Sequence, residues 1–194
     1  DDSGERIADI LKRSIPISLF LLLPGFILGN LCGMFFAMIA AWYRGRWPDK
    51  GMVILAVTGM SLSFPVTIIV AQWLFSSGQG LGWFPVHGWD IGSFSDYLLY
   101  VSVPSLALFV VSFGYNTRFF RALLIEELSK DYVLTARAYG ASTIEIMCWH
   151  VLPNILIPVS TRIIFTIPSL LIGGSLLLEK HFGIPGVGKV TYTA

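Results

Sequence analysis

Four long apolar runs, at residues 15–43, 52–75, 98–116 and 155–178, set the pattern of this chain. Each is close to or above the about 20 residues that a helix needs to cross the hydrocarbon core of a bilayer. A polar stretch at 118–152 separates the third run from the fourth, and its apolar residues keep a helical rhythm. Ile125, Leu128, Tyr132, Ala136 and Tyr139 recur at three- and four-residue spacing and predict one stripe on one helical face. Gly140 can take the left-handed conformation that ends such a helix. Ser142, followed three residues later by Glu145, is a capping-box pattern and predicts a second helix striped by Ile144, Met147, Cys148 and Val151. Pro153 then marks the start of the last apolar run. The expected fold is an all-α polytopic bundle: four transmembrane helices, with a helix–turn–helix between the last two.

Punctuation inside the runs refines this. Pro16 suits a first helical turn, whereas Pro24 falls inside the pattern and predicts a kink. Gly25, Gly29 and Gly33 form two overlapping small-xxx-small steps, a face made for close helix packing. Ser61-Leu-Ser-Phe-Pro65 places a helix breaker beside hydroxyls able to bond freed carbonyls. Pro104, Pro158, Pro168 and Gly173-Gly174 interrupt the later runs, and Gly183 to Gly188 reads as a turn. Trp42 and Tyr43 sit where an interfacial aromatic belt would lie. Residues 1–14, with four acids, three bases and Ile7, Ile10 and Leu11 at helical spacing, read as a short amphipathic arm.

Charge sets the orientation. The segments 44–50 and 118–150 hold seven Lys and Arg, and the segment 76–97 holds none. By the positive-inside rule the first two face the cytoplasm, while 76–97 and the arm face outside. Composition agrees with a membrane protein: 55% of the 194 residues are hydrophobic and 13% are charged, against roughly 25% charged in a soluble domain. A net charge of +1 with no basic run gives no reason to expect a nucleic-acid partner. Cys32 and Cys148 read as small apolar fillers. The opening Asp1-Asp2-Ser3-Gly4, without an initiator Met, suggests a piece of something longer.

The polar stretch carries a resemblance. Thr135-Ala-Arg-Ala-Tyr-Gly140, followed after thirteen residues by Leu152-Pro153, resembles the EAA loop of binding-protein-dependent ABC importers. The match is closest to the oligopeptide and dipeptide permease branch, which typically reads Asp-Tyr-Val-x-Thr-Ala-Arg-Ala-x-Gly. Asp131-Tyr-Val-Leu-Thr-Ala-Arg-Ala-Tyr-Gly140 fits that pattern, with Leu134 at the glutamate position and Thr135 at the first alanine. Phe84-Pro-Val-His-Gly88 and Phe182-Gly-Ile-Pro-Gly-Val-Gly188 are weaker echoes of the same branch.

The resemblance implies a six-span core, of which this chain holds four spans: the arm at 1–14, then a partial transmembrane domain at 15–194. It implies that Asp131, Thr135, Ala136, Arg137, Ala138, Tyr139, Gly140, Leu152 and Pro153 form the coupling segment on an ATPase subunit. The implied partners are ATP-binding subunits, a second homologous permease, an external substrate-binding protein and the lipid bilayer. The place is a bacterial-type inner membrane.

Little else reads as chemistry. No paired carboxylates are placed for acid–base work, and adjacent Glu126 and Glu127, about 100° apart on a helix, read as solvated. His87, His150 and His181 lack ligand spacing, and no Gly-x-x-x-x-Gly-Lys-Ser/Thr phosphate loop exists. The expectation is a transport subunit with no catalytic, cofactor or metal residues of its own. Arg162 is a charge well inside a span, so it either faces the translocation path or pairs helices. Ser61, Ser63 and Asn116 carry the same two readings. The alternatives are an ion-coupled secondary carrier, or a permease of the same family for a sugar or a metal chelate. The carrier would want intramembrane Asp or Glu near the midplane, which the four runs lack. An intramembrane protease would need Ser175 and His181 in reach of each other.

Overall fold

The computed structural model describes residues 7–78 and 80–193. Residues 1–6 of the expected arm lie outside them, and the rest of the arm forms the opening turns of α1 (Ile7–Trp42). The chain continues through α2 (Trp47–Ser61), α3 (Phe64–Ser76), α4 (Phe94–Leu128) and α5 (Asp131–Ala138). A 40-residue helix, α6 (Thr143–Phe182), and a short α7 (Val187–Thr193) complete it. Among the described residues there is no strand. α1, α4 and α6 are each long and apolar enough to cross a membrane. The second expected span, 52–75, is the broken α2–α3 pair, neither half of which suffices alone.

Prolines act differently in different helices, and backbone accounting explains why. At 61–65 the helix breaks, as expected: Pro65 has no N–H to give and sits in the first turn of α3, where none is needed. Ser61 donates to the Val57 carbonyl at 2.8 Å, and Thr67 to the Ser63 carbonyl at 3.1 Å. α1, in contrast, runs as one helix through both Pro16 and Pro24, so Pro16 is not at a first turn. α6 likewise passes Pro153, Pro158 and Pro168 without ending. Instead it widens into π turns at Ile146–Val151 and Leu170–Gly174. Inserting one residue per wide turn lets a helix skip a missing donor and continue. Pro153 therefore starts no new element; the second half of the expected helix–turn–helix and the last span are one helix.

The chain forms two compact units, one of residues up to 27, 62–111 and 166–194, the other of 28–61 and 112–165. In the first, α1 meets α4 at Gly25, where a Cβ would run into the Ser105 backbone. Ser105 donates to the Leu21 carbonyl at 3.2 Å, and Tyr97 to that of Phe20 at 2.8 Å. The segment between α3 and α4 is tied down by Gln72, which donates to Val86 O at 2.7 Å and meets His181 Nε2 at 2.5 Å. Ser93 and Asp96 cap the start of α4 reciprocally, each bonding the other's backbone N–H. In the second unit, Gly29 and Gly33 abut Ser112 and Asn116, with a notional Cβ only 2.8 and 2.7 Å from their side chains. The small-residue face thus packs α1 on α4, as its spacing predicts. Asp49, 4% exposed, takes a bidentate bond from Arg121 at 2.6 and 2.8 Å and one from the Gly45 N–H at 2.8 Å. This removes the only acid of the 44–50 turn from solvent and leaves Arg44, Arg46 and Lys50 exposed.

Candidate coupling site

The segment 131–153 is built on one apolar cluster. Ala37 and Ala41 of α1, Phe120 and Leu124 of α4, Val133 of α5, and Ile146, Met147, Val151, Ile155 and Val159 of α6 are all buried together. Val133 is 0% exposed, and burying such a side chain from water contributes about 1.5–3 kcal/mol. Ile125, Leu128, Tyr132 and Ala136 pack against the cluster. They do not share one helix, because α4 stops at Leu128 and α5 starts afresh at Asp131. Tyr139 leaves the stripe altogether and is 88% exposed.

The second stripe also shifts. Ile146, Met147 and Val151 are buried, whereas Ile144 and Cys148 are exposed. The π turn at 146–151 is the reason: it changes the angular step, so a 3.6-residue reading drifts off the buried face. Cys148 is therefore no core filler.

The turn between the two helices is as expected. Gly140 has φ +85°, in the left-handed region that a Cβ resists. Ser142 Oγ accepts the Glu145 N–H at 3.3 Å, and the Glu145 carboxylate accepts the Ser142 N–H at 2.7 Å. Ser142→Ala should cost about 1 kcal/mol of helix-start stability. In a thermal melt of the purified protein it should lower the midpoint by about 2–4 °C, and no shift at all would deny the cap that role.

With its inner face held, α5 leaves an outer face open. Asp131, Leu134, Thr135, Arg137 and Ala138 are exposed, as are Tyr139 and Gly140 at its end. Ala136 is half-buried, Leu152 is half-buried and Pro153 exposed at the next helix. Thr135 Oγ1 is engaged with the Asp131 carbonyl at 3.1 Å. The exposed apolar residues Leu134 and Tyr139 flank this face, and Ile144 and Trp149 (77% exposed) lie on α6. Exposed aromatic anchors of this kind are what a docking partner would bury. Ile144 was expected on the buried stripe and is instead exposed, and Trp149, in the π turn, was singled out by no sequence pattern.

The other expected site residues do not gather into one place. Asn116 is 6% exposed and seated against Gly33. The Arg162 guanidinium lies over the Phe119 ring, 4.1 Å from its centroid, a cation–π contact between α6 and α4. Ser61 bonds its own helix, and Ser63 is exposed at the break. Ser175 Oγ donates to the Leu171 carbonyl while His181 meets Gln72, so they form no dyad.

Comparison with known proteins decides the family. Residues 33–194 match the model of the binding-protein-dependent transport system inner membrane component. The chain belongs to this family. It is 38% identical over 183 residues to the glutathione transport system permease protein GsiC of Salmonella choleraesuis, covering 94% of this chain and 56% of that one. It is 32% identical over 193 residues to a putative peptide transport system permease protein of Brucella abortus, covering 98% and 60%. The chain thus spans little more than half the length of these relatives. It is an integral inner-membrane permease chain of the peptide branch.

Proposed function

We propose that this chain is part of a permease subunit of an ATP-driven importer for peptides, coupled to separate ATPase subunits through residues 131–153. The observation that carries this is the division of α5 into two faces. Val133, Tyr132 and Ala136 anchor it to α1, α4 and α6, while Leu134, Thr135, Arg137, Ala138 and Tyr139 are presented outward. An element held rigidly on one side and open on the other can pass a displacement from a docked partner into spanning helices. That is the two-state element a coupling mechanism requires. In this reading the exposed face lies in the cytoplasm, beside the basic residues of 44–50. A second permease would complete the path, and an external binding protein would deliver the substrate. The names of the relatives, glutathione and peptide permeases, support a short peptide as cargo.

α6 does bury one carboxylate, three residues before its end at Phe182. Glu179 is 0% exposed, but its oxygens are taken by Ser18 Oγ at 2.5 Å and the Lys189 N–H at 3.1 Å. An enclosed, satisfied carboxylate offers an ion no entry, which favours the importer. Purification of the full-length permease from its native membrane tests the proposal. ATP-binding subunits should co-elute in stoichiometric amount; a permease that transports peptide without them would overturn it.

A further inference from the structure

Glu127 departs from what two adjacent glutamates near a helix end are expected to do. Glu126 is exposed, but Glu127 is 8% exposed, and its carboxylate ties the end of α4 to the link and to α5. Its Oε1 accepts the Tyr132 hydroxyl of α5 at 2.9 Å. Its Oε2 lies 2.6 Å from Nζ of Lys130, in the two-residue link between α4 and α5. The Lys130 ammonium is held above its ordinary pKa by its bond to this carboxylate.

The apolar cluster alone would leave α5 a degree of freedom. Apolar contact is non-directional, so a short helix seated by Val133, Tyr132 and Ala136 can still roll or swing about the 129–130 link. Hydrogen bonds to a carboxylate are directional, and charge-assisted ones are about twice as strong as neutral ones. We infer that Glu127 is a positioning residue that clamps the start of α5 to α4, so that a displacement of α5 is carried into a spanning helix instead of being absorbed at the link. This inference rests on the coupling reading of 131–153.

The test uses the full-length permease in its complex with the ATPase subunits, reconstituted in vesicles, with ATP hydrolysis and substrate uptake measured on one preparation. Glu127→Ala should leave the complex assembled and hydrolysing ATP. Its uptake should fall by about ten-fold or more, the scale of losing hydrogen bonds to a charged group. ATP consumed per substrate moved should rise accordingly. Glu127→Gln, which can still meet Tyr132 and loses the ion pair alone, should keep most of the uptake. A purely structural role would lower hydrolysis and uptake together and leave their ratio unchanged. An unchanged ratio in Glu127→Ala overturns the inference. If that variant does not assemble, Tyr132→Phe, which deletes one hydroxyl, is read in its place, and an unchanged ratio there overturns it. Gly140→Val in the same assay separates the two ideas: normal coupling in Gly140→Val fails the coupling reading, whereas uncoupling there beside normal ratios at 127 and 132 fails the clamp alone.

Discussion

Gly140→Val should abolish transport by the full-length complex while leaving the permease inserted in the membrane. The residue holds φ +85°, where a left-handed backbone costs a β-branched side chain on the order of 1–2 kcal/mol or more. Nothing lies within 4 Å of a Cβ built there, so the effect is conformational and not a clash with a neighbour. Relief of that strain can come only by re-aiming the turn that joins α5 to the capping box at Ser142. The exposed face of Leu134, Arg137 and Tyr139 would then point elsewhere, and the ATPase would lose its seat. None of the three long helices contains Gly140, so the spans should still insert. Uptake and co-purification of the ATPase, measured on the same membranes, check this. Normal uptake with the ATPase bound would show that the segment is not the coupling element.

The second large effect is expected at Glu179, in the other unit of the chain, and it is one of stability. Its carboxylate accepts from Ser18 Oγ of α1 and from the Lys189 N–H of α7, and Ser18 Oγ in turn accepts the Val187 N–H at 2.9 Å. One buried side chain thus joins three helices. Gly186 leaves just enough room, since a Cβ there would run into the Glu179 carboxylate. Glu179→Ala would strand buried donors, each costing about 1–3 kcal/mol, and open a cavity as well. A total of about 3 kcal/mol or more would lower the melting midpoint by several degrees for a chain of this size. Gly186→Ala should act in the same direction by crowding the same group. A melt of the purified permease unchanged by Glu179→Ala would mean that the cluster contributes little.

These two residues show how unevenly the site could be read in advance. Gly140 and Ser142 were legible because a chain reversal and a helix cap are local events: one backbone conformation and one hydroxyl decide them. The apolar runs were legible for a similar reason, since the bilayer imposes length and hydropathy whatever the neighbours do. The resemblance of 131–153 to the EAA loop was likewise carried by local residues alone. The close approach of α1 to α4 was also written in Gly25, Gly29 and Gly33, because small side chains every fourth residue leave one face bare.

Tertiary structure alone decided the rest. Glu179 carries no local mark; it is buried because α1 and α7 bring it donors, and only that meeting allows a carboxylate there. Glu127 draws its donors from the nearby Lys130 and Tyr132, but only the break between α4 and α5 turns them onto it. The prolines look alike in sequence, yet Pro65 opens a new helix after a break and Pro153 lies inside α6, which continues through a π turn with its Ile155 and Val159 buried in the cluster. Across that turn Ile146 faces inward and Trp149 outward, against the regular periodicity. Sequence determined what each segment is, through local geometry and transfer from water to lipid. Which polar groups meet, and which face remains open to a partner, depended on contacts between segments that no local pattern encodes.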